Sequence, residues 1–190
     1  MSETIHNPIT GASHTFLELT EELVRFHGTG IRGDRGPVLH VHPFQEERFL
    51  VTRGSVAFVM GKHEVVCGPG EGVSVPAGVA HTFHNAGDGD FGMFGEYRPG
   101  LPKQSYRFHD VYYALARAGM TNAKGMPSIW QMAVEMPLVS DHVRVASPAW
   151  PIQRAVLALL RPLARIMGYR PFESASVETI TATLAVPDAS

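Results

Sequence analysis

His40-Val41-His42-Pro43-Phe44-Gln45-Glu46-Glu47, closed by Gly54, and Gly70-Glu71-Gly72-Val73-Ser74-Val75-Pro76-Ala77-Gly78-Val79-Ala80-His81-Thr82-Phe83-His84-Asn85 are the two stretches that decide how this chain folds. Two histidines two apart on a strand leave the same face, about 7 Å apart at roughly 3.3 Å per residue. A carboxylate follows after a short turn. A further imidazole, His81, arrives on a later strand behind the Pro76-Ala77-Gly78 turn. Three nitrogens and one oxygen in this pattern suit a first-row divalent metal ion with positions left open for a ligand. The carboxylate is Glu46 or Glu47: the spacing to Gly54 favours Glu47, and Glu46 keeps strand parity with His42 only if no turn intervenes.

The two stretches resemble the cupin family. The first cupin motif asks for His-x-His, three or four residues, Glu, six residues and Gly, which His40, His42, Glu47 and Gly54 meet. The second asks for Gly, five residues, Pro-x-Gly, two residues, His, three residues and Asn, met by Gly70, Pro76, Gly78, His81 and Asn85. One departure lies upstream. The family's opening Gly would fall at Asp34, whereas the glycines here are Gly33 and Gly36. The resemblance implies a mainly β fold, the antiparallel jelly-roll barrel. It also implies a metal site of His40, His42, Glu47 and His81, holding one ion of iron(II), manganese, nickel or zinc, and a metal-dependent enzyme, with dimers common. Within that family the leading expectation is dioxygenase-like oxidoreductase chemistry. Isomerase, decarboxylase or hydrolase chemistry and non-catalytic binding are the alternatives.

Outward from the motifs, short apolar runs separated by turn residues continue the β reading. Strands are expected at 15–19 and 23–27, as edges, and then at 38–42, 48–52, 55–60, 63–67, 73–76, 81–85 and 91–97, with a loop over 28–36. Phe49 and Val51 share parity with Glu47, and Phe83 shares it with His81, so these three are the expected substrate pocket. Glu96 or Tyr97, on the last barrel strand, is the candidate for proton handling. Asn85 is expected to fix a turn.

After Pro102 the character changes, dividing the chain into a barrel domain, 1–102, and a helical extension, 103–190. Asp110 is the expected cap of a first helix ending at Gly119, and 128–136 reads as a second. A third, 147–167, places Val156, Leu160, Leu163 and Met167 on its packing face and is expected to kink or divide at Pro162. Tyr112, Tyr113, Trp130 and Trp150 are candidates to cover an apolar substrate. A Thr/Val/Ile alternation in 174–190 suggests one more edge strand.

Composition bounds the rest. The 190 residues carry a net charge of -2 with no gathered basic stretch, which argues against a nucleic-acid partner. The single Cys67 suits a reducing compartment, and with no signal-peptide pattern or apolar run of membrane-spanning length the expected address is cytoplasmic. The expected partners are a small, partly apolar substrate and a second copy of the chain.

Overall fold

The computed structural model describes residues 4–100, 107–123 and 125–171. The strands are β1 (Thr4–His6), β2 (Ser13–Leu19), β3 (Val24–Gly30), β4 (His40–Val41), β5 (Glu46–Arg53), β6 (Val56–Met60), β7 (His63–Cys67), β8 (Gly72–Val75), β9 (His81–Asn85), β10 (Phe91–Arg98) and β11 (Arg144–Val145). They form two antiparallel sheets, one ordered β1-β2-β3-β10-β5-β8 and the other β11-β4-β9-β6-β7. The strand rhythm predicts antiparallel sheets of this kind, and their arrangement is the jelly roll that the cupin resemblance implies. Alternation along each strand turns apolar side chains inward. In β5, Glu47, Phe49 and Val51 are buried while Arg48, Leu50 and Thr52 are exposed. Phe16, Phe58, Phe91, Met93 and Val75 join them in one core between the sheets.

Neither of the two strands expected as edges, β2 and β3, is one. β3 is internal and pairs with β10 from Val24↔Tyr97 to Gly30↔Phe91, and β2 lies between β1 and β3. β3 also runs into the expected loop, because glycine at position 30 leaves room for the Phe91 ring that a Cβ would strike.

Of the two glycines upstream of the first motif, Gly36 is the one whose surroundings leave no room for a Cβ. Its φ is +62°, and a Cβ there would collide with the backbone carbonyl of Phe83 on β9. Gly36→Ala is therefore expected to cost about 3 kcal/mol or more, combining left-handed strain with overpacking. Chemical denaturation would read this as a large fall in midpoint.

The helices are α1 (Arg107–Arg117), α2 (Ile129–Val139) and α3 (Trp150–Ile166). α1 begins before Asp110, which lies inside the helix and does not cap it. Ser128 caps α2, its hydroxyl accepting from the Gln131 N–H. Both α2 and α3 pass through a proline, Pro137 and Pro162, without dividing. In α3, Ala158 and Pro162 are both exposed, so the carbonyl that loses its helical donor faces water. α3 packs on α2 through Leu157, Ala164 and Leu160, while Val156, Leu163 and Met167 are exposed. The packing stripe is thus rotated by about one residue from the sequence reading, and Ile152, Leu159 and Ile166 extend the exposed apolar face. The suggested strand within 174–190 lies outside the described residues.

The extension also enters the barrel. Arg144 and Val145 of β11 pair with Val41 and His40 of β4, so residues well beyond 102 complete the second sheet. This pairing follows no hydrophobic pattern that a two-residue strand could display.

Candidate metal centre

β4, β9 and β5 carry the two motifs to one point. His40 pairs directly with His81, and the Gly78 N–H, at φ +81°, donates to the His42 carbonyl at 2.8 Å, so the Pro-x-Gly turn ties the second motif to the first. One ligand atom from each of His40, His42, Glu47 and His81 lies within 4.8 Å of all the others. Glu46 points to the opposite face, where its carboxylate accepts from Arg48 and Ser74, each at 2.6 Å. A turn at Pro43 and Phe44 breaks strand parity after His42, so Glu47 and not Glu46 faces inward.

Backbone carbonyls fix all three imidazoles. Nδ1 of His40 donates to Val38 O at 2.9 Å, that of His42 to His142 O at 2.7 Å, and that of His81 to Val79 O at 2.9 Å. A carbonyl only accepts, so each Nδ1 carries a proton and each ring turns its Nε2 toward the cluster, with a lone pair there wherever the ring is neutral. The Nε2 of His42 is buried with no hydrogen-bond partner. That of His81 lies 2.7 Å from Glu47 Oε2, a distance that requires an Nε2 proton and hence an imidazolium when no cation is present. Three convergent nitrogens, that of His42 orphaned, and a carboxylate fit a divalent ion, which would take the place of that proton.

The electrostatics agree. Burial, with help from His42 and His81, lowers His40 to about 3, and burial lowers His42. Burial alone would raise Glu47, but the His81 hydrogen bond and the nearby imidazoles hold it at about 2. Burial opposes protonation of His81, yet its bond to Glu47 and that carboxylate's charge leave it raised.

These directions set the pH dependence of the metal-free protein. His40 and His42, with folded values depressed, remain neutral where the unfolded chain is protonated, so stability falls as pH drops below about 6.5. Each such histidine contributes a slope of about 1.4 kcal/mol per pH unit in its window. His81 has the opposite sign: its contribution is complete below the unfolded value and is lost as pH rises through the folded one. Urea titration of metal-free protein is expected to give maximal stability near neutrality and a decline toward pH 4.

The cluster opens on a cavity of about 230 Å³, lined among others by Phe49, Phe83, Phe91, Met93, Tyr112 and Tyr113. Phe49 and Phe83 are thus on its wall. Val51 is not. It lies one strand repeat farther from Glu47, in the core opposite Met93. Tyr112 and Tyr113 cover the cavity from α1, whereas Trp130 and Trp150 pack within the helical cluster. Asn85 holds its turn, donating from Nδ2 to Ile31 O and Gly89 O.

Of the two proton-handling candidates, Glu96 faces away, its carboxylate bound to Arg25 at 2.7 Å and Arg98 at 3.3 Å. Tyr97 faces in. Its ring lies 4.9 Å from that of His42, and burial together with the charge and hydrogen bond of Glu47 raises its phenol well above the ordinary value. It therefore keeps its proton and donates it in a hydrogen bond to Glu47, which makes it a positioning residue for that carboxylate. Tyr97→Phe is expected to weaken metal affinity by about 10- to 100-fold, while Glu96→Gln leaves it unchanged. Metal competition with a chromophoric chelator separates the two.

A family model described as a cupin domain matches residues 31–94, the span that carries all four clustered residues. This stretch is a cupin domain. Solved cupin structures resemble it at low identity. KdgF from Halomonas sp. aligns at 18% identity and TM-score 0.45 over 48% of this chain and 82% of its own. A sugar phosphate isomerase of the cupin superfamily from Silicibacter pomeroyi aligns at 21% and 0.46 over 51% and 71%. An RmlC-like cupin from Shewanella frigidimarina aligns at 19% and 0.47 over 53% and 86%. No curated protein matches the chain in sequence. Beyond the cupin span, sequence reasoning missed the His142 carbonyl, a backbone group that no residue type announces, and His14 on β2, which also lines the cavity.

Proposed function

We propose that this cupin is a metal-dependent enzyme acting on a small, partly apolar molecule at a mononuclear site of His40, His42, Glu47 and His81, with dioxygenase-like chemistry as the leading reaction class. The observation that carries the reading is the convergence of three Nε2 acceptors and one carboxylate on the wall of an apolar cavity. A divalent first-row ion held there supplies a Lewis acid for an anionic or enolic oxygen and, as iron(II), a position for O2. The chain's own residues do the rest. Phe49, Phe83 and Met93 receive the apolar part of the substrate and keep water from it. Tyr97 holds Glu47 in place.

The test is to load the protein with iron(II) or manganese and follow O2 uptake and product formation over a panel of enolic and aromatic acids. O2 uptake with one substrate supports the leading class. Product without O2 uptake assigns a non-redox isomerase, decarboxylase or hydrolase. Ligand-shifted melting with no product from any acid contradicts an enzyme and leaves a binding protein.

Cytoplasmic location and homodimeric assembly belong to the same proposal. Cys67 is buried and free, in keeping with a reducing compartment, and a second copy would cover the exposed apolar side chains of α3. No described helix is long and apolar enough to cross a membrane. Light scattering that gives the 20.7 kDa of a single chain would contradict the dimer.

A further inference from the structure

We infer that His14 is a second binding pole of the cavity, hydrogen-bonding a hydroxyl on a flat, largely apolar substrate whose anionic or enolic oxygen sits at the metal centre. The inference rests on the metal-site reading above and adds the chemistry of the substrate's other end.

His14 projects from β2 into the wall of the same cavity as His40, His42 and Glu47. Its ring is held between two others, 4.8 Å from Phe26 and 5.2 Å from Tyr113 of α1. Phe26 in turn lies 5.7 Å from Tyr97, which lies 4.9 Å from His42. Two aromatic rings therefore separate His14 from the ligand cluster along the wall. Its Nδ1 is buried with no hydrogen-bond partner, and its Nε2 edge lies over Gly28, another residue of the cavity wall. A Cβ at position 28 would stand 3.6 Å from Nε2, and glycine leaves that space to the cavity. A buried imidazole nitrogen without a partner is costly for a fold that gains nothing else from it.

The surroundings select the group that His14 receives. Burial lowers its pKa to about 4, so it is neutral at physiological pH and offers no charge to a carboxylate or phosphate. Asp34 lines the same cavity, accepts from the Gly36 N–H, and disfavours a second anion. At the cluster, by contrast, a divalent ion with three neutral imidazoles and one carboxylate keeps a net positive charge and attracts an anionic oxygen. An anion at one end, a neutral hydroxyl at the other and apolar walls between describe hydroxylated aromatic or enolic acids.

The test uses the full chain loaded with zinc, with occupancy measured first by elemental analysis. Absence of zinc at this stage defeats the metal-site reading itself. Calorimetric titration with benzoate, 3- and 4-hydroxybenzoate, cinnamate and 4-hydroxycinnamate then compares each hydroxylated acid with its parent at two lengths. At least one hydroxylated acid is expected to bind about tenfold or more tightly than its parent, the scale set by satisfying a buried polar group. His14→Phe, which keeps the ring stack, should erase that advantage while holding zinc and the parent acid as before, and His14→Gln should restore part of it. In the native protein the His14 Nε2 resonance should shift with the hydroxylated acid and not with its parent. If no hydroxylated acid gains over its parent, if no acid binds to the zinc-loaded protein, or if the gain survives in His14→Phe, the inference is wrong.

Discussion

Removing residues 103–190 is expected to weaken metal binding by about tenfold or more and to lower the melting temperature, although all four clustered residues lie before the cut. The physical reason is that the extension supplies three parts of the site. The His142 carbonyl accepts the Nδ1 proton of His42 at 2.7 Å, and without it nothing fixes which nitrogen of that ring faces the cluster. Partners of this kind, one bond removed from the ion, carry about 10- to 100-fold in affinity. β11 covers the edge of β4, pairing Val145 with His40. Tyr112, Tyr113, Met126, Met136, Val143 and Val145 line the cavity, and their loss would open its apolar wall to water. A point variant separates the His142 carbonyl from its side chain. His142→Ala keeps the carbonyl and should bind metal as the native protein does. A truncated chain that holds metal with native affinity would contradict this account of the extension.

Glu47→Gln is expected to abolish stoichiometric metal retention with little change of shape. Glu47 is the only carboxylate in the cluster and supplies its only negative charge. The same substitution changes the metal-free protein. His81 is raised chiefly through its hydrogen bond to Glu47, against the pull of burial, so an amide at 47 should let it fall below its ordinary value. Proton resonances of the His81 ring would then titrate at lower pH in the variant than in the native metal-free protein. Unchanged titration together with retained metal would remove Glu47 from the site.

Both expectations depend on features with unequal visibility in the sequence. Same-face placement of His40 and His42 follows from strand period alone, and the Pro76-Ala77-Gly78 turn announces His81. In the sequence only the distance to Gly54 favours Glu47 over Glu46, and the turn at Pro43 and Phe44 supplies the reason. Less was legible where strand parity was undecided. Glu96 and Tyr97 are neighbours on β10 with opposite directions, and only the register against β3 and β5 fixes which one meets the cluster. Val51 has the right parity and lies too far along the strand. In α3 the apolar residues outnumber those that pack, so periodicity located an amphipathic helix without telling the buried half of its stripe from the exposed half. β11, His142 and His14 were invisible for a common reason. Each reaches the centre or its cavity by a long-range contact, through a two-residue strand, a backbone carbonyl or a strand near the start of the chain, and none leaves a local pattern.

The central claim is that His40, His42, Glu47 and His81 form one metal site. Elemental analysis of the purified native protein beside His81→Ala, each before and after reconstitution with iron(II), manganese, nickel and zinc, tests it most directly. The account predicts close to one ion per native chain and almost none in the variant. Native protein that takes up no ion, or a variant that keeps its full complement, would contradict it.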